Sequence, residues 1–299
     1  MANEQKKLNR QYRLVIQKQG KDGKPIGEAI VITNPITVRF DIDRSIYAGI
    51  ASMNIDIFNL APTTRNQLFK DWFYDIPKEN FLYIVLSAGY EGMELSNVFI
   101  GDIYSAYTTR QGTDVITRIV AKTGLRTMAD SIEVTLKSGC TTQDVTDVCM
   151  NKLTGLSKGK QVVEKYIFTK PVALADKPLA ILKQYNPNKN VFIDLNKVNI
   201  LGENEGFKGW VPVITDSSGL LNAPERKSNT LIFKMIFEPR FELGQIVELS
   251  SNLAPQFNGQ YKIFGIKHEG MISDSVAGKV ITTVELNIGS VVYGGFKPL

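Results

Sequence analysis

Apolar residues in this chain alternate with polar ones, or form runs just long enough for one strand, and Gly, Asn and Pro cut the runs apart. A period of two sends successive side chains to opposite faces of an extended backbone. The pattern therefore restricts most of the chain to β-sheet with one face buried. Strands are predicted over Tyr12 to Gln17, Ile36 to Asp41, Ser52 to Asn59, Phe81 to Ala88, Val98 to Tyr107 and Val115 to Lys122. A later group covers Leu231 to Phe237, Ile246 to Ser250, Tyr261 to His268 and Val280 to Ile288.

The middle of the chain follows a different period. Thr141 or Thr142 caps a predicted helix in which Val145, Val148, Cys149 and Leu153 share a face. A second helix starts at Asp176-Lys177-Pro178, with Asp as cap and Pro at the first helical position. Leu179, Leu182 and Tyr185 recur along it, and Asn186-Pro187-Asn188 stops it. Two short strands flanking a turn at Asn196 follow. The mainly β chain thus carries a small α/β module between two β-rich blocks, and the tetrapeptide Asn-Leu-Ala-Pro ends a strand in each block, at Asn59 and at Asn252. The expectation is two related β-barrel domains.

Charge is concentrated at one end. Lys6, Lys7, Arg10, Arg13, Lys18, Lys21 and Lys24 face only Glu4 and Asp22 before Gly27, which accounts for the whole formal charge of +5. A balanced body with a basic arm argues against a nucleic-acid surface spread over a domain. Leu8, Tyr12, Leu14 and Ile16 alternate with polar positions, which suits docking along a neighbour's sheet edge. Lys6, Lys7, Arg10, Tyr12 and Arg13 are therefore the expected assembly interface. The start of the chain lacks a secretory signal, and no run approaches the roughly 18 apolar residues of a membrane helix, so a soluble product made in the cytoplasm is expected.

Motifs for catalysis are few. His268 is the only histidine, at the end of a strand where a structural role is expected; no Gly-x-Ser-x-Gly elbow accompanies it. Phosphate-cradling glycine motifs are missing, and Gly89, Gly92, Gly101, Gly244 and Gly259 read as turn or bulge residues. Cys140 and Cys149 are too few for a zinc cluster, so neither metal nor cofactor is expected. Asp41 and Asp43 share one strand face, expected to be solvated. Trp72, Phe73, Tyr74 and Trp210 are aromatics that, if exposed, would stack on sugars or bases, but a barrel lid filled by its own aromatics is the favoured reading. A carbohydrate-binding or carbohydrate-active β-protein and a nucleic-acid-binding barrel are accordingly the alternative readings.

Ala88-Gly89-Tyr90 followed by Val98-Phe99-Ile100-Gly101-Asp102-Ile103 resembles the hub proteins at the tip of phage tails and related contractile injection machines. Asn59-Leu60 and the turn Arg110-Gln111-Gly112-Thr113-Asp114 are similar to that family's first barrel. Gly139-Cys140-Thr141-Thr142 is similar to its helical insert. Glu238-Pro239-Arg240-Phe241, Gly244-Gln245 and Gly259-Gln260-Tyr261 through His268-Glu269-Gly270 resemble its second barrel.

The resemblance implies a basic arm and first strand over 1–27, a first barrel over 28–125, an α/β insert over 126–203 and a second barrel over 204–299. It further implies a non-enzymatic structural hub in the tail baseplate of the virion: a homotrimer whose barrels form a ring of six similar units, matching a sixfold tail tube to a threefold central spike. The implied partners are the tube protein, the spike, the tape-measure protein and other baseplate proteins, with neither membrane anchoring nor sequence-specific nucleic acid. Without a long extension after Leu299, a fused spike or lysozyme-like domain is not expected, and the insert is expected to decorate the ring.

Overall fold

The computed structural model describes residues 9–20, 23–71, 80–207, 209–276, 278–288 and 297–298. The first part of the chain forms β1 (Arg10–Gly20), β2 (Ile30–Thr33), β3 (Val38–Ser45), β4 (Ser52–Phe58), α1 (Pro62–Gln67), β5 (Lys70–Asp71), β6 (Asn80–Tyr90), β7 (Ser96–Gln111) and β8 (Asp114–Lys122). The middle forms β9 (Ile132–Leu136), α2 (Thr142–Lys152), β10 (Ser157–Gln161), β11 (Val172–Asp176), α3 (Pro178–Tyr185), β12 (Lys189–Asp194) and β13 (Lys197–Gly202). The last part forms β14 (Glu205–Gly206), β15 (Val213–Thr215), β16 (Glu225–Lys227), β17 (Thr230–Ile236), β18 (Ile246–Ser250), β19 (Gly259–Ile272), β20 (Val280–Asn287) and β21 (Lys297–Pro298). Every predicted strand is present, usually longer than its apolar run because backbone pairing continues into polar residues.

Both β-rich blocks belong to one 14-stranded sheet, and they repeat the same strand order. The first runs β3-β4-β8-β7-β6-β1; the second runs β16-β17-β20-β19-β18-β15. Even the irregularities match: β7 bulges against β8 between Ile103 and Ser105, and β19 bulges against β20 between Ile263 and Gly265. The strand direction differs at one end, where β1 is antiparallel to β6 and β15 is parallel to β18.

The repeated tetrapeptide does not mark this duplication. Asn59 follows β4, whose counterpart is β17, whereas Asn252 follows β18, whose counterpart is β6. The likeness is local. Ala61 and Ala254 each precede a proline that opens a helical turn, where its fixed φ and missing N–H are tolerated. Leu60 is buried while Leu253 is 73% exposed.

The middle module is keyed into the rest. Val145, Cys149, Leu174, Ile181 and Leu182 form its own core with Val191, Ile193, Val198 and Ile200. Phe192 and Leu201 point the other way, into the core of the second block beside Phe233, Phe241 and Phe264. Alternation along β12 and β13 thus feeds two cores, which is why Val191-Phe192-Ile193 is continuously apolar. The insert thus shares a core with the second block, while the two blocks pair directly through β3 and β19.

Thr141 is the cap of α2 through a full capping box: its Oγ1 accepts from Asp144 N–H at 3.2 Å, and the Asp144 carboxylate accepts from Thr141 N–H at 2.7 Å. Asp176 does not cap α3. The cap position is Lys177, whose N–H donates to Asp176 Oδ1 at 2.6 Å, because Pro178 takes the first helical position. The inward face of α3 is Pro178, Ile181 and Leu182, with Leu179 and Tyr185 half-buried at its margins.

Candidate functional site

The three units meet where the end of β3, β12 and the segment Glu238 to Leu243 converge. Val38, Phe40 and Ile42 occupy the inward face of β3, so period two carries Arg44 inward as well. Arg44 Nε and Nη2 donate to the two oxygens of Asp194 on β12, both at 2.8 Å, and Nη1 donates to the Phe241 carbonyl at 3.1 Å. Leu243 N–H donates to Asp194 Oδ2 at 3.1 Å. The side chains are 1% and 5% exposed. A single fork of hydrogen bonds therefore ties first block, insert and second block together, with each guanidinium nitrogen and both carboxylate oxygens partnered.

The neighbouring segment is held as tightly. Tyr90 Oη donates to the Phe237 carbonyl at 2.8 Å, and burial pushes the Tyr90 phenol above its ordinary pKa. Glu238 N–H donates to Thr282 Oγ1 at 2.9 Å, while its carboxylate accepts from Arg240 Nε at 2.7 Å and Nη2 at 2.9 Å. That hydrogen-bonded carboxylate raises the Arg240 pKa. The Arg240 guanidinium lies 4.5 Å over the Trp210 ring. A cleft of about 660 Å³ opens beside this segment, lined by Tyr90, Glu94, Leu95, Lys197, Arg240 and Glu242 among others.

His268 is fully buried on β19, with Nδ1 3.0 Å from Thr282 Oγ1 and the ring edge-on to Phe237 at 5.4 Å. Burial first, and Arg44 second, drive its pKa well below the ordinary value. A neutral imidazole packed between strands is a structural part, as its sequence setting indicates. Lys262, also buried, donates from Nζ to the carbonyls of Gly202 at 2.6 Å and Glu203 at 3.1 Å, which fastens β19 to the end of the insert. Desolvation lowers its pKa to about 8. Arg126 pairs with buried Asp102 and lies 5.0 Å over Phe81. This arrangement sets angles between units; it is a joint.

The expected interface residues that the structure describes differ in their surroundings. Lys6 and Lys7 lie outside the described residues, as do Trp72, Phe73 and Tyr74. Tyr12 is buried in the first core, its Oη donating to the Ile36 carbonyl at 2.6 Å, so its side chain faces its own chain and not a neighbour. Arg10 Nη1 donates to the Gly278 carbonyl at 2.5 Å. Among the described ones, Arg13 alone stands exposed. The alternation of Tyr12, Leu14 and Ile16 is explained within the chain, because β1 pairs with β6 along its whole length and with β2 over Arg13 to Ile16.

Other sequence readings resolve individually. Cys149 is buried and its thiol is pushed up to about 12 by burial, while Cys140 is half-buried. Asp41 carries an ion pair with Lys267 at 3.1 Å on the outer sheet face. Gly101 is neither turn nor bulge: a Cβ there would lie 2.6 Å from the Lys122 carbonyl oxygen, so β7 and β8 approach closely at that point. Arg44, Asp194, Asp102 and Lys262 were missed by the sequence reading. The available signal was a charged residue on the inward phase of an apolar alternation, one step beyond Ile42 for Arg44.

The same fold occurs in solved tail proteins. One from Neisseria meningitidis MC58 superposes with a TM-score of 0.60 at 10% identity, covering 93% of this chain and 97% of that one. The 43 kDa tail protein of prophage MuSo2 from Shewanella oneidensis gives 0.59 at 9% identity over 92% and 96%. An E. coli protein, c3393, gives 0.56 at 10% identity over 89% and 77%; it is a component of the type VI secretion system described as structurally similar to T4 bacteriophage tail proteins gp27 and gp5. No curated protein matches the chain. The fold is that of tail proteins. A family model described as baseplate hub gp41 matches residues 15–273, and the chain belongs to that family. It is a structural component of the phage tail baseplate.

Proposed function

We propose that this chain is the subunit of a homotrimeric baseplate ring that adapts a sixfold tail tube to a threefold central spike, without catalytic turnover. The observation that carries the proposal is the repeated strand order within one chain. Two equivalent units per subunit make three subunits present six similar surfaces to one partner and three identical ones to another. The buried Arg44–Asp194 fork supports it, because a symmetry adaptor needs a fixed angle between its two halves. The tube, spike, tape-measure and further baseplate proteins are the partners in this reading. The basic arm, with Lys6, Lys7 and the exposed Arg13, then meets an acidic protein surface. Native mass spectrometry and negative-stain imaging of the purified full chain test the ring: three copies around an axial hole are expected, and a closed dimer or a persistent monomer at high concentration overturns it. Replacement of Lys6, Lys7 and Arg13 by Gln should weaken incorporation into tails in a salt-sensitive way.

A further inference from the structure

The two blocks of the chain join along β19. β19 pairs with β20 along one side. Its other side is shared in sequence: β18 covers Gly259 to Lys262, and β3 of the other block takes over from Gly265 to Ile272. β7, the counterpart of β19, is covered by β8 on one side. On its other side β6 covers Ser96 to Asp102, and β5 adds only the rungs Ser105 and Ala106. From Tyr107 onward that edge of β7 carries no partner strand among the described residues.

The matching bulges align Gly265 with Ser105, so Lys267, His268 and Glu269 correspond to Tyr107, Thr108 and Thr109. Those three β19 residues pair with Asp43, Ile42 and Asp41 of β3. The counterpart of β3 is β16, and the ladders β3·β4 and β16·β17 align Asp43, Ile42 and Asp41 with Lys227, Arg226 and Glu225. β16 is the last strand of the sheet, paired with β17 alone, and all three of its residues are exposed. Within one chain β17, β20, β19, β3, β4 and β8 lie between β16 and β7.

We propose that the open half-edge of β7, Tyr107 to Thr109, receives β16 of a second copy of this chain, in the register that β3 takes on β19. The expected rungs are Tyr107 with Lys227, Thr108 with Arg226 and Thr109 with Glu225. This deepens the ring reading and rests on it, since the contact is head to tail and closes only by rotation. Three observations select this occupant. β5 pairs with no residue of β7 beyond Ala106, so no described strand of the chain claims the three rungs. Phe69 and Tyr107 stand 68% and 43% exposed beside the open edge, and Thr108 is exposed where its counterpart His268 is fully buried. Glu225, Arg226 and Lys227 are charges of the kind that guard a free edge against unspecific pairing while leaving its backbone able to pair.

Paired strands hold opposed Cα atoms about 4.5–5.5 Å apart, within disulfide reach; positions two rungs out of register are roughly 7–8 Å apart and outside it. The test is the full chain carrying Cys140→Ser with Tyr107→Cys and Lys227→Cys, oxidised at high concentration and run without reductant, alongside native mass spectrometry. Covalent species of two and three copies are expected. Roughly tenfold less should form with Tyr107→Cys and Glu225→Cys, or with either single variant. Trimers without cross-links overturn the pairing and leave the ring. Cross-links that close at two copies overturn the ring and keep the edge. Monomer alone, or a cross-link within one chain, overturns both. If the variants misfold by circular dichroism, hydrogen exchange on the unmodified chain decides: 107–109 and 225–227 must gain protection together on oligomerisation, and unchanged exchange there refutes the pairing.

Discussion

Arg44→Met isolates the joint between units. The substitution keeps volume and the aliphatic stem but deletes two donors to Asp194 at 2.8 Å and one to the Phe241 carbonyl at 3.1 Å. Asp194 keeps one donor, Leu243 N–H, in a site where its side chain is 5% exposed. Removing one member of a buried pair costs about 3–5 kcal/mol, because the other charge stays buried. At about 1.36 kcal/mol per decade, that is roughly two to nearly four powers of ten in the unfolding equilibrium. Adding Asp194→Leu removes the orphaned charge and leaves the Leu243 N–H unsatisfied, at about 1–3 kcal/mol, with the Phe241 carbonyl unpartnered in both variants, so the double variant should be more stable than Arg44→Met. Urea unfolding followed by tryptophan fluorescence and by circular dichroism gives the cycle, and in Arg44→Met the two signals should also cease to coincide. A loss under about 1 kcal/mol, or strictly additive single variants, would falsify the claim that this fork couples the units.

Four further outcomes follow from burial and close packing. His268 has a depressed pKa in the folded chain, so below about 6.5 the unfolded state binds the extra proton and stability falls as pH drops. His268→Gln should remove that part of the slope in urea titrations. Lys262 titrates in the folded state near about 8, so from there to about 10.5 the unfolded state again holds more protons and stability rises with pH. Lys262→Met should flatten the rise; an unchanged slope would contradict a buried amine. Gly101→Ala should cost about 1–3 kcal/mol by forcing β7 off β8, measured as a lower urea midpoint. Iodoacetamide at mildly alkaline pH should label Cys140 and spare Cys149 until denaturant is added, as read by peptide mass.

Local chemistry was legible without coordinates. The period of two located every long strand, because solvation of one face and burial of the other is decided by neighbours in sequence. Thr141 declared its cap by the carboxylate three residues later, and Pro178 declared the start of α3. Even the structural nature of His268 followed from its setting in an apolar strand. What needed three dimensions was everything decided by strands far apart in the chain. Tyr12 alternates as a docking strand would, yet its face is covered by its own core. The Asn-Leu-Ala-Pro repeat is the same local turn at non-equivalent places, while the true duplication lies in strand order, which no short string of residues encodes. Arg44 and Asp194 are 150 positions apart. Alternation says only which side of a strand a charge lies on; whether that side meets water, a carboxylate or a second copy of the chain is set by which strands the tertiary fold brings against it.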